Sequence, residues 1–244
     1  MPGTAVLSPH LDDAVLSLWH VLSVRRHDVR VVNVFAGVPD PERDLGGDCW
    51  WDRLTGAEDS ARRMHERRSE DRVALTIAGA TAVDLDLLEG QYHREPQPLE
   101  PVVSHLAEAV SEGTRLLAPA ALDGHRSHRL VRAAALALRE ASGRPVTLYA
   151  DVPHATRYGW PHWVTGAPAG PRLRPDAFWR RHMNGTGIDL TRLEPQVHRL
   201  DDADYGRKRA AVRAYPSQLA ALEAEFAVLS RPDVLRYEVL WPLP

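Results

Sequence analysis

The chain has 244 residues, of which 44% are hydrophobic and 26% charged, and a formal net charge of −3 at pH 7. That length and balance suit one large α/β domain with a sizeable core, and nothing in the charge points to nucleic acid or to an anionic membrane surface. No run of about 18 apolar residues marks a membrane span, and no basic segment leads a long apolar run at the N-terminus, so neither an anchor nor a signal peptide is expected.

Thr4-Ala5-Val6-Leu7 is a short apolar run that reads as a buried strand. Residues 14–22 read as an apolar helix. Between them stands Ser8-Pro9-His10-Leu11-Asp12-Asp13, which places a histidine and two carboxylates in a strand-to-helix turn. Residues 30–35 read as a second strand ending at Ala36-Gly37. The pattern is then lost over 39–56, a stretch holding Gly46-Gly47 and Cys49-Trp50-Trp51. A connection of that length is characteristic of lids and binding loops. Cys49 is the only cysteine. It cannot close an internal disulfide, which fits a reducing cytoplasm.

Residues 58–78 take a helical period with Ala61, Met64, Ser69, Val73 and Ile77 inward and Gly79 as the C-cap. A third strand is expected over 82–88, running into Glu89-Gly90-Gln91-Tyr92. A helix near 102–111 and a fourth strand over 115–119 follow. Next come Asp123-Gly124-His125-Arg126-Ser127-His128, a helix over 127–141 and a fifth strand over 146–150. Strands alternating with helices mean βαβ units. The fold class is therefore α/β: a Rossmann-like, mainly parallel sheet flanked by helices, with the active site at the carboxyl ends of the strands. Beyond Asp151 the pattern weakens. Residues 154–175 hold His154, Tyr158, Trp160, His162 and Trp163. Residues 202–229 look helical, interrupted at Tyr215-Pro216-Ser217-Gln218, and 237–241 read as a final edge strand. No linker or repeat divides the chain, so residues 1–244 are expected to form a single domain.

Imidazole nitrogen and carboxylate oxygen are ligands for zinc and its neighbours in the first transition row. His10 and Asp13 share one turn and can supply two ligands. A third must come from another strand end, where His125-Arg126-Ser127-His128 is best placed, with His128 in the first turn of its helix. The competing reading is that these are polar strand ends that cap helices, with Asp12 or Asp13 as an N-cap. Trp50, Trp51, Trp160 and Trp163 stand in the two loop-like stretches and suit either stacking on a sugar face or local core.

The segment Ser8–Asp13 resembles the signature of the PIG-L/LmbE-like zinc-dependent deacetylases. Arg67-Arg68-Ser69-Glu70, His125-Arg126-Ser127-His128, and Lys208-Arg209-Ala210-Ala211 with Tyr215-Pro216-Ser217-Gln218 resemble further motifs of that family, in the family's order. The resemblance spans roughly residues 3 to 220. It implies that His10, Asp13 and His128 hold Zn2+, that Asp12 is the general base, and that His125 polarises or donates a proton near the oxyanion. The implied reaction is hydrolysis of an N-acetyl group on a small aminosugar-containing partner, with neither nucleic acid nor a membrane involved and homo-oligomerisation left open. Arg67, Tyr92, Trp50, Trp51 and His154 are the expected substrate-binding residues. For Arg67, positioning of Asp12 or Asp13 stands beside an ion pair with an acid such as Glu70. Asp12 is expected to stay ionised at a helix N-terminus.

The chain departs from the family at three places. Ala14 replaces a glutamate, Ser127 replaces the acid between the two histidines and would serve as a helix cap, and Asp123 stands where some members have a tyrosine. Tyr92, Tyr158 or His154 would have to stand in for that tyrosine. The alternatives are a metal-dependent amidase on a non-sugar substrate, and a non-catalytic sugar-binding module of the same fold. The intact Asp12 argues against the module, since a binder needs no base beside a metal.

Overall fold

The computed structural model describes residues 3–24, 28–40, 42, 46–122, 124–168 and 174–244. Asp123 and parts of the stretches 39–56 and 154–175 lie outside the described residues. In chain order the elements are β1 (Thr4–Ser8), α1 (Asp13–Ser17), α2 (Trp19–Val24), β2 (Val29–Asn33), α3 (Trp50–Leu54), α4 (Ser60–Ala78) and β3 (Thr81–Asp84). They continue with α5 (Leu99–Ala109), β4 (Arg115–Pro119), α6 (Arg126–Ser142), β5 (Val146–Tyr149), α7 (His162–Thr165), α8 (Pro175–Asn184), β6 (Gln196–Arg199), α9 (Asp202–Val212), α10 (Pro216–Phe226) and β7 (Tyr237–Pro242).

The seven strands form one sheet in the order β3-β2-β1-β4-β5-β7-β6. The first five run parallel, and β7 lies antiparallel between β5 and β6. Their apolar runs follow from this: β1 and β5 are buried along their whole length, as strands covered on both faces must be. The chain order reverses direction at β1 and β4. Crossovers on the two sides of that point go to opposite faces and leave a crevice at the strand carboxyl ends. Among the described residues no helix is long and apolar enough to cross a membrane.

Several expectations need correction. The helix read over 14–22 breaks at Leu18, because the buried Glu238 carboxylate accepts from the backbone N–H groups of Trp19 and His20 at 2.7 and 2.9 Å. Glu238 in turn accepts from Lys208 Nζ at 2.7 Å, tying α2, α9 and β7 together. Along α4 the caps are as expected: Asp59 accepts from Arg62 N–H, and Gly79 takes the left-handed C-cap conformation with φ 75°. The inward face is different. Met64, Arg67, Asp71, Ala74 and Ala78 are buried, whereas Ser69, Val73 and Ile77 face out. The α4 face toward the crevice holds charge, so apolar periodicity picked the wrong stripe. β7 is not an edge strand; β6, in a stretch to which the sequence pattern assigned no element, takes that place. The stretch 154–175 leads into α7 and α8, whose Trp179 packs with Trp160 in the core.

Candidate metal centre and active site

The turn after β1 is fixed by its own polar groups. Ser8 Oγ donates to the His10 carbonyl at 2.6 Å and accepts from Ala14 N–H at 3.0 Å. His10 N–H donates to Asp13 Oδ2 at 2.8 Å, which folds the carboxylate back beside its own histidine. Asp12 occupies the cap position of α1, yet its side chain accepts no capping hydrogen bond. The capping reading of that residue therefore falls.

His128 enters from the first turn of α6, across the β1–β4 crevice. His10 Nδ1, Asp13 Oδ2 and His128 Nε2 form a triangle with edges of 3.1, 3.2 and 3.3 Å. Ligands about 2.0–2.2 Å from a tetrahedral zinc stand about 3.3 Å apart. Two imidazoles and a carboxylate on this spacing fit such an ion. His10, His125 and His128 also offer nitrogens within 4.8 Å of one another. That second set is looser, so the Asp13 corner is the better fit and His125 stands beside the triangle.

Electrostatics support the same assignment. Burial is the largest influence on Asp13 and opposes its charge, but His128 and His10 outweigh it and hold the carboxyl well below the usual range. Burial likewise opposes charge on His128, and Asp13 and Asp151 overcome it, raising the imidazole well above its ordinary value. Asp151 is a residue that sequence reasoning missed. It follows β5, is fully buried, and lies 2.8 Å from His128 Nδ1. Its signal was its place at the end of the fifth strand, directly beside the fourth.

Asp12 behaves otherwise than expected. Burial first and the adjacent Asp13 second push its carboxyl up, with Arg67 and His10 opposing. α1 has five residues, too short for its dipole to outweigh burial. Arg67 does not pair with Glu70, which accepts instead from Ser217 N–H and Oγ at 3.0 and 2.6 Å. Arg67 Nη1 lies 3.2 Å from Glu89 Oε2. Burial disfavours its charge, and the carboxylates of Glu89 and Asp12 more than restore it. Glu89 is the second missed residue: its Oε1 lies 3.4 Å from His10 Nε2, and its Oε2 accepts from Gln91 Nε2 at 3.0 Å.

These groups open onto a cleft of about 300 Å³ walled by Trp50, Trp51, His154, Leu222 and Phe226. Trp50 is 45% exposed, and the Trp51 indole donates to Gln218 Oε1. His154 sits 5.3 Å from His125 and 5.4 Å from His128, ring centre to ring centre. Tyr92 is placed differently from the expectation: it is buried away from the cleft and its hydroxyl donates to Asp52 at 3.0 Å. Burial and two acids raise that phenol above its usual range. Tyr158 packs on Phe178, and Trp160 donates to the Asp233 carbonyl, so neither reaches the cleft. Of the three stand-ins for the missing tyrosine, only His154 lines it. Ser127 does not cap α6; it lies buried inside the first turn, with His125 at the cap position.

The fold and cleft together define an α/β protein with a buried cluster of histidines and carboxylates, spaced to hold a metal ion, at the carboxyl ends of its parallel strands. Over 98% of its length the chain resembles the A40926 pseudoaglycone deacetylase Dbv21, covering 96% of that chain with a TM-score of 0.71 and 26% identity. It also shares its fold with a triple mutant of the deacetylase of the teicoplanin biosynthetic pathway (98% and 97% covered, TM-score 0.70, 24% identity) and with the conserved protein TT1542 from Thermus thermophilus (97% and 94%, 0.52, 16%). The likeness to a deacetylase agrees with the resemblance that the four sequence motifs carry. No family model matches the chain, and no curated protein matches it.

Proposed function

We propose that this chain is a single-domain, zinc-dependent N-deacetylase acting on a small aminosugar conjugate. The observation that carries the reading is the His10–Asp13–His128 triangle, with Asp12 and His125 beside it on a fold shared with a pseudoaglycone deacetylase. His10, Asp13 and His128 would hold the zinc, which when bound supplies a Lewis acid for the amide carbonyl and acidifies water. Asp12 takes the proton from the attacking water. His125 donates toward the carbonyl oxygen as negative charge builds there. The C–N bond then breaks, and Asp12 or His125 returns a proton to the leaving amine, giving acetate and a free amino group. Arg67, paired with Glu89, lends its positive charge to Asp12. Trp50 and Trp51 line the cleft with aromatic surface on which a sugar ring can stack, and His154 lines it as well. A reducing, cytoplasmic setting suits the lone Cys49.

The test is acetate release from N-acetylglucosamine, its glycosides and an N-acetyl amino acid, with metal content measured on the same preparation. Release from a glucosamine glycoside at about one zinc per chain is the expected result. Release from the amino acid alone would favour a non-sugar amidase. Asp12→Asn should lower turnover by about 10²–10⁴-fold with metal retained. His128→Ala should lose the metal.

A further inference from the structure

A second and wider cavity, of about 840 Å³, opens beside the metal cleft and shares Trp50, Glu89 and His125 with it. Trp50, Glu89 and His125 thus form the boundary common to both. The character of the second part is basic. Arg94 comes from the segment after β3, and Arg126, Arg129 and Arg132 come from the first two turns of α6. Arg132 is buried and donates to the Ala120 carbonyl. Arg94, Arg126 and Arg129 are exposed, and none of them forms an ion pair among the described residues. The acids on the same wall are Asp48, Glu95 and Glu89. Asp48 accepts from Trp50 N–H, and Glu89 is committed to Arg67 and Gln91. Guanidinium groups in a concave wall, without an ion pair among the described residues, are forks that match a carboxylate or a phosphate.

We infer that this groove receives an anionic group, a carboxylate or a phosphate, carried by the part of the substrate beyond the acylated sugar. The inference rests on the deacetylase reading, because it takes the sugar to lie in the metal cleft. A sugar ring against Trp50 would send its aglycone over the indole edge, between Glu89 and His125, and onto Arg126 and Arg129. The groove thereby selects among conjugates that share the same acylated sugar.

Three phenyl N-acetyl-β-glucosaminides test this, bearing a carboxamide, a carboxylate or a phosphate on the phenyl ring. Their affinities are measured by calorimetry on the zinc-loaded Asp12→Asn protein, where turnover does not interfere. The carboxylate or the phosphate should bind about tenfold tighter than the carboxamide, a preference that shrinks in about 0.5 M salt and falls within about twofold in an added Arg126→Gln/Arg129→Gln pair. Which of the two anions leads identifies the group. Equal or absent binding of all three probes, or a preference untouched by the arginine pair, overturns the inference. Acetate release from the carboxamide glycoside by the unaltered enzyme reports on the deacetylase reading alone. Release without an anion preference removes the groove and keeps the activity; an anion preference without release keeps the groove and removes the activity.

Discussion

His128 stands between two aspartates, with Nδ1 2.8 Å from Asp151 and Nε2 3.2 Å from Asp13. The three residues follow three adjacent strands: Asp13 after β1, His128 after β4 and Asp151 after β5. The outer aspartate fixes which face of the imidazole meets the triangle. It also raises the basicity of the nitrogen that would meet a metal.

Asp151→Asn should therefore weaken metal binding by about 10–100-fold while the sheet stays intact. Competition against a chromophoric chelator measures it. Unchanged affinity would show that His128 is oriented without Asp151.

Asp71 gives the fold a pH dependence away from the metal centre. Burial pushes its carboxyl up to about 7, against hydrogen bonds from Tyr215 and Asn33 and with Asp84 and Asp12 adding to the rise. The folded form thus keeps a proton that the unfolded chain sheds near pH 4. Its contribution is fully present below about pH 4 and is lost as pH rises through about 7. A shift of that size corresponds to a few kcal/mol, about 1.4 per unit. Asp71→Asn should flatten the urea-unfolding free energy between about pH 4 and 7 relative to the parent protein. Equal slopes in the two proteins would remove Asp71 as the source.

The buried pair Lys208–Glu238 should be costly to break from one side. Lys208→Met leaves the Glu238 charge with only the N–H groups of Trp19 and His20. We expect a loss of about 3–5 kcal/mol in unfolding free energy. The pair Lys208→Met/Glu238→Gln should recover part of it, because no uncompensated charge remains and the amide oxygen still accepts from one of the two α2 N–H groups. Additive losses in the double variant would contradict this.

Gly47 presses on the segment that carries Glu89 and Gln91. A Cβ there would lie 2.1 Å from the Gln91 carbonyl oxygen and 2.4 Å from the Tyr92 carbonyl carbon, both backbone atoms that cannot swing aside. Gly47→Ala should cost about 1–3 kcal/mol and shift α3 with its two tryptophans. A change in tryptophan fluorescence accompanied by a raised KM is the expected signature; an unchanged KM would separate the loop from substrate binding.

Much of the site was legible because its residues are local. The histidine and the aspartate pair lie within four positions, in a turn between two apolar runs, and the His125/His128 pair holds the matching place after β4. Trp50, Trp51 and His154 were legible as aromatic groups in irregular stretches, although the same criterion also chose Trp160 and Trp163, which lie elsewhere. Tyr92 misled for a related reason: a polar aromatic group after a strand can turn in or out, and its partner Asp52 decides which.

By itself, then, the sequence determined the parallel strands and the chemistry of their ends, because a strand buried on both faces must be apolar and must stop where polar residues begin. Only the tertiary structure decided which charges share a burial site. Glu89 against Arg67, Asp151 against His128 and Glu238 against Lys208 are pairs 22, 23 and 30 residues apart. No local period encodes them. The cost of burying each charge alone selects its partner, and that cost exists only once the sheet has closed around it.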